Sequence, residues 1–198
     1  MQDIITAVGL IIGFAGVGLT IYYQRRSVRF DKLRKSLDWA DLQVAASELA
    51  KDISAVGQIA AIVTPSLAGA TFANLLADQI GGQPPVYVGI RIWKGDDHPD
   101  LAPNAYLNFD TNKWLVSIPK EITTYREGII LFVDDFVMSG DFLERFANRL
   151  VKEGVDREQI RSASVAVTRV AIKNHKAPTF YWWVADDDEF YFPWGKAR

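Results

Sequence analysis

Residues 130–150 read ILFVDDFVMSGDFLERFANRL. An apolar run ends in two adjacent acids, Asp134 and Asp135. A turn through Ser139 and Gly140 follows, and then an amphipathic stretch that predicts a helix from about Asp141 to Glu153. A strand, a turn and a helix in that order form half of a β-α-β unit. Two unpaired carboxylates buried together carry a large desolvation and repulsion cost. The pair is therefore expected to face a crevice at the carboxyl end of the GIILFV strand, where ligands of open parallel sheets gather. There the acids can accept hydrogen bonds from a sugar diol, engage hydrated magnesium or stabilise developing positive charge, while the MSGD loop offers a hydroxyl and consecutive N–H groups to a phosphate. On this pattern alone, a polar helix cap explains the acids equally well.

The flanking sequence repeats the alternation. SLDWADLQVAASELAKDISAVG, residues 36–57, has apolar positions at helical spacing, with Ser36 available as N-cap and Gly57 past the end. IAAIV (59–63) reads as a buried strand, TPSLAG as a turn, and ATFANLLADQI (70–80) as a helix closed by Gly81 and Gly82. VYVGIRIW (86–93) reads as the next strand. The stretch from Lys94 to Asn112, rich in Asp, Pro and Asn, reads as a long surface excursion before a short strand at KWLVSI. A strand near SASVAVTRV and an aromatic tail complete the chain. Strands alternating with helices predict an α/β fold, a mostly parallel sheet with flanking helices.

The amino-terminal stretch is different in kind. Residues 4–23, IITAVGLIIGFAGVGLTIYY, carry no charge, and a helix rising about 1.5 Å per residue over that length spans a hydrocarbon core of about 30 Å. It predicts a single retained transmembrane helix. Arg25, Arg26, Arg29, Lys32, Arg34 and Lys35 follow it and only Asp3 precedes it, which places the soluble domain on the cytoplasmic side. The expected organisation is a transmembrane anchor over 1–24, a basic juxtamembrane linker over 25–35 and a globular domain over 36–198. Gly9 and Gly13 form a GxxxG pair that allows self-association as a homodimer.

Composition excludes several chemistries. The chain of 198 residues has no cysteine, so disulfides, thiolate metal sites and cysteine nucleophiles are ruled out, and with only His98 and His175 a histidine-rich metal centre is not expected. A formal net charge of -2 provides no global attraction to nucleic acid, and none is expected as a partner.

The run IILFVDDFVMSGDFL resembles the phosphoribosyl-diphosphate signature of the type I phosphoribosyltransferases. SLDWADLQVAASELAKDI is similar to that family's leading helix, AAIVTPSLAGATFANLLADQIG to its diphosphate-loop unit, and EFYFPWG to the tail of its xanthine and hypoxanthine members. The resemblance implies transfer of a phosphoribosyl group from phosphoribosyl diphosphate to a purine base, with magnesium present. It assigns Asp134 and Asp135 to the ribose hydroxyls, the metal and an oxocarbenium-like transition state. It assigns Met138, Ser139, Gly140, Asp141 and Phe142 to the 5-phosphate loop, and Pro65, Ser66, Leu67 and Ala68 to the diphosphate loop. Arg169 matches a basic residue that donates to an oxopurine, and the FYWW cluster offers Tyr181 and Trp182 for stacking on the base.

Three positions depart from the pattern. Met138 stands where purine enzymes carry an acid able to exchange a proton with the base, Phe142 replaces a hydroxyl residue of the phosphate loop, and TPSLAG has no Arg or Lys to offset diphosphate charge. Two functional classes follow: a membrane-anchored phosphoribosyltransferase with magnesium as cofactor, and a catalytically weak or silent module that senses a nucleotide or phosphoribosyl diphosphate, as an effector in a bacterial stress or defence system would.

Overall fold

A computed structural model of the protein describes residues 36–97, 101, 104–111 and 113–197. The expected membrane span and basic linker lie outside the described residues. Among those described, no helix is long and apolar enough to cross a membrane.

The leading helix α1 is Trp39–Ser54. Its N-cap is Asp38 rather than the expected Ser36. Asp38 accepts from the Asp41 backbone at 2.9 Å and Asp41 returns a bond to the Asp38 backbone at 3.0 Å, so two otherwise unmet donors are satisfied reciprocally. Ser36 instead bridges to Tyr191. Strand β1 is Ile59–Thr64 and helix α2 is Leu67–Gln79, capped by Ser66. The turn between them is therefore only Pro65 and Ser66, because the helix starts at Leu67, three residues before the expected start at Ala70.

VYVGIRIW is not one strand. It breaks at Gly89 into β2 (Val86–Val88), which joins the parallel sheet, and β3 (Ile90–Trp93), which joins a second, antiparallel one. A Cβ at Gly89 would lie 3.0 Å from the carbonyl oxygens of both Ser117 and Thr64, so any side chain would crowd the backbone where the two sheets meet. The excursion after Trp93 also holds regular structure. Strand β4, Tyr106–Asp110, pairs with β5, Trp114–Pro119, in a three-stranded sheet of order β3-β5-β4.

Strand β6 is Ile129–Val137, and all of it is buried. It is followed by α3 (Asp141–Lys152), β7 (Ile160–Thr168), a short helix α4 (Arg169–Lys173) and β8 (Phe180–Ala185). Two-residue strands β9 (Tyr191–Phe192) and β10 (Gly195–Lys196) pair as a hairpin in the tail. The main sheet has order β2-β1-β6-β7-β8, all parallel.

That order explains the layering. From β1 the chain crosses to β2 on one side, whereas from β6 it crosses to β7 on the other, and right-handed crossovers then place α2 and α3 on opposite faces. Helix α1 packs with α2 and against β7 and β8. On the α3 face, Phe132, Phe146 and Leu150 form a core with Phe109, Val116 and Ile118 of the antiparallel sheet. The reversal falls between β1 and β6, which is the topological switch point where a doubly wound sheet opens a ligand crevice.

Gly89→Ala is expected to destabilise the fold by about 1–3 kcal/mol, the usual cost of forcing an extra methyl group into a close-packed site, read as a lowered midpoint in urea with an unchanged slope.

Candidate active site

The acid pair lies inside strand β6, not beyond its end. Asp134 and Asp135 are only 8% and 5% exposed, so the expectation that such carboxylates avoid burial is corrected. Strand β6 runs through them to Val137 because Phe136 and Val137 carry the apolar pattern onward. Asp134 accepts the backbone N–H of Asp135 at 3.0 Å. Burial and the adjacent Asp135 carboxylate push the Asp134 carboxyl well above its ordinary range, and the Arg91 guanidinium opposes the shift.

The turn after β1 is brought directly against this pair. A Cβ at Gly69 would meet the Thr64 hydroxyl at 2.2 Å and an Asp134 carboxylate oxygen at 3.1 Å, so the first turn of α2 approaches the acids only because residue 69 is glycine. Thr64 donates to the Ser66 carbonyl at 3.3 Å, and Pro65 and Ser66 are buried while Leu67 is exposed. The expected diphosphate loop and the expected acid pair are thus brought side by side. The loop has no cation of its own, but Arg91 on β3 brings one towards Asp134, with its guanidinium 5.2 Å from the ring centre of Trp114.

The tail supplies the other wall. The Trp194 indole N–H donates to Asp135 at 2.9 Å. Its ring is stacked on Phe192 at 5.0 Å and 3°, with Trp39 of α1 tilted against it at 5.9 Å. Phe192 continues through Phe190 to Phe136 and Trp183. Neither Trp194 nor Arg91 was singled out by sequence reasoning. The FPWG motif pointed to the first, while Arg91 became relevant only when β3 folded back at Gly89.

The loop after β6 has a distinctive charge balance. Gly140 has φ 75°, and a Cβ there would sit 1.9 Å from the Lys176 carbonyl oxygen. Ser139 donates its hydroxyl to Asp141 at 3.1 Å, and Lys176 donates to Asp141 at 2.7 Å and lies 3.0 Å from Glu144. The Lys176 and Ser139 hydrogen bonds hold the Asp141 carboxyl below its usual range. Asp141 therefore engages both the Ser139 hydroxyl and the Lys176 ammonium. Met138 is exposed, and its carbonyl accepts the Thr168 hydroxyl. Phe142 turns inward, 5.5 Å from Phe132 and 6.0 Å from Phe109.

The expected base-side residues are dispersed. Arg169 opens α4 and pairs with Asp186. Tyr181 is half-buried against the apolar group of Val137, Val167 and Ala171. Trp182 is 4% exposed and donates its indole N–H to Glu48 at 2.8 Å, so its ring belongs to the packing of β8 on α1 rather than to the crevice.

No protein-family model and no curated protein matches the sequence. Solved structures do. A purine phosphoribosyltransferase from Pyrococcus horikoshii Ot3 matches with a TM-score of 0.59 and 18% identity over 81% of this chain and 92% of that one. The chain has the phosphoribosyltransferase fold. A Helicobacter pylori xanthine-guanine-hypoxanthine phosphoribosyltransferase matches with a TM-score of 0.57 and 17% identity over 82% and 92% of the two chains. A hypothetical protein from Neisseria gonorrhoeae with bound ppGpp matches with a TM-score of 0.56 and 18% identity over 82% and 90%. At these identities the likeness is one of fold. Within the phosphoribosyltransferase fold, the Asp134–Asp135 pair stands at the sheet's switch point, beside the turn into α2.

Asp134→Asn keeps the acceptor for the Asp135 N–H and removes a buried charge. A carboxyl whose folded pKa is raised above its unfolded value of 3.8 contributes its full stability below that value and loses it as pH rises through the folded value. The ligand-free Asn variant is therefore expected to match the parent near pH 4 and to exceed it increasingly towards pH 8. An advantage on the order of 1–2 kcal/mol at the higher pH corresponds to about 2–4 °C of melting temperature per kcal/mol. Melting curves across that range check both sign and trend.

Proposed function

We propose that the protein is a magnesium-dependent phosphoribosyltransferase that binds phosphoribosyl diphosphate in the crevice between Asp134 and the turn into α2 and transfers its pentosyl group to an oxopurine base. The observation that carries this reading is the buried acid pair itself. A fold that keeps adjacent carboxylates at 8% and 5% exposure holds a cost that a ribose diol and a divalent cation would relieve. The donor set suits magnesium in kind: this ion takes one or two protein carboxylates and completes its octahedron with water and substrate phosphate oxygens. Among the described residues, no group of three or more acidic or histidine side chains forms a ready cage, so Asp134 and Asp135 would be the protein's share. Bound magnesium would offset the charge of the departing diphosphate.

The chain's own residues divide the remaining tasks. Asp134 and Asp135 orient the ribose hydroxyls and stabilise positive charge at the anomeric carbon. The N–H groups at the start of α2, from Leu67 and Ala68, face the diphosphate, with Arg91 as countercharge. Ser139, Gly140 and Asp141 form the turn at the 5-phosphate. Trp194, backed by the buried Phe192 ring, offers a flat surface to a base, and it releases Asp135 when a ribose hydroxyl takes its place. Arg169 is the oxopurine donor in this reading. Residues 4–23 anchor the enzyme in the membrane with the domain on the cytoplasmic side.

A second reading, a nucleotide-sensing module with little turnover, is favoured by one observation. Asp141 holds Ser139 and Lys176 in the phosphate loop, and a carboxylate there disfavours the 5-phosphate on which efficient transfer depends. A fold neighbour with bound ppGpp shows that a protein of this architecture can hold a nucleotide.

Diphosphate release from phosphoribosyl diphosphate by the full chain in detergent, with magnesium and each of hypoxanthine, guanine, xanthine and adenine, separates the two. Transfer predicts release that requires one oxopurine and falls at least about a hundredfold in Asp135→Asn, as expected when a preorganised electrostatic group is removed. Binding of phosphoribosyl diphosphate without release in any base supports the sensing module.

A further inference from the structure

The crossover from β6 to β7 carries the 12-residue helix α3, whereas that from β7 to β8 carries only the five-residue α4. Both crossovers lie on the same face of the sheet if right-handed, and the shorter one leaves space beside α3. A cavity of about 380 Å³ opens there, within the range that holds small organic ligands. It is separate in construction from the acid-pair crevice, since neither Asp134 nor Asp135 lines it.

The lining combines an apolar floor with cations. Leu143, Ile160 and Ala177 are half-buried in its wall, above the buried rings of Phe132 and Phe146. Helix α3 runs along it from Gly140 towards the turn that carries Arg157, and Arg161 follows at the start of β7. Glu144 is the one carboxylate in the lining, and Lys176 already meets it at 3.0 Å. Arg161 donates to its neighbouring Ile160 carbonyl at 2.9 Å and lies 3.8 Å from the exposed Glu158 carboxylate. Among the described residues, the exposed Arg157 guanidinium has no hydrogen-bond or ion-pair partner. After Lys176 and Glu144 offset one another, two guanidinium groups remain over an apolar surface.

We propose that this cavity binds a small planar aromatic anion, its ring on the Leu143, Ile160 and Ala177 surface and its phosphate or carboxylate on Arg157 and Arg161. A guanidinium fork matches either anion with two parallel hydrogen bonds, and its planar charge also tolerates a ring alongside. The ligand's reach extends to the phosphate loop, because Gly140 lines the cavity and contacts the Lys176 carbonyl that forms its wall.

Naphthyl phosphate tests this without addressing the acid pair, since it has no ribose diol. Titration calorimetry of the full chain in detergent with EDTA is expected to show saturable one-to-one binding. Arg157→Glu, at an exposed position where the fold has no contact to lose, should weaken it at least about tenfold. Asp135→Asn should leave it unchanged. Absence of saturable binding, binding indifferent to Arg157→Glu, or loss in Asp135→Asn would each overturn the proposal.

Discussion

Two neighbouring carboxylates buried in a central strand set the terms for the site around them. Asp134 and Asp135 cannot both hold charge away from water without partners. The surrounding residues act as a system for moderating that cost: the Asp135 backbone N–H and Arg91 act on Asp134, and the Trp194 indole acts on Asp135. Each comes from a different part of the chain. Gly89 and Gly69 permit the approaches, one by letting β3 leave the parallel sheet and the other by letting α2 begin against Asp134.

The topology places this tension at one position. Because β1 and β6 are adjacent and their crossovers diverge, the turn after β1 and the acids of β6 meet at one place. The tail then returns over it, with Ser36 bridged to Tyr191 and Trp39 against Trp194, so the beginning and end of the domain close together on the site. The antiparallel sheet contributes Arg91 from the other side.

The alternating elements and the acid pair were legible from local pattern, because helical periodicity around Leu42 and Leu49 and the apolar run into Asp134 are short-range signals. The break at Gly89 was not, since VYVGIRIW has a continuous strand composition and only the approach of Ser117 and Thr64 shows why a glycine interrupts it. Strand β4 was hidden for a related reason: Tyr106, Leu107 and Phe109 are few apolar residues among polar ones, and they become a strand by pairing with β5. Trp182 shows the limit of composition. In FYWW each ring is equally attractive as a stacking surface, but the bond to Glu48 ties this one to α1. The resemblance placed Asp141 on the phosphate loop, whereas its capture of Lys176 depends on a residue 35 positions away.

The central claim is that the acid pair is a site for a diol and a divalent cation, and that occupancy removes the cost of burying it. The direct measurement is the melting temperature of the full chain at pH 8 with magnesium alone, phosphoribosyl diphosphate alone, and both together. The combination is expected to raise the midpoint by more than the sum of the separate effects, because a cation and a sugar diol would share Asp134 and Asp135. Equal shifts with and without magnesium, or no shift with both, would contradict it.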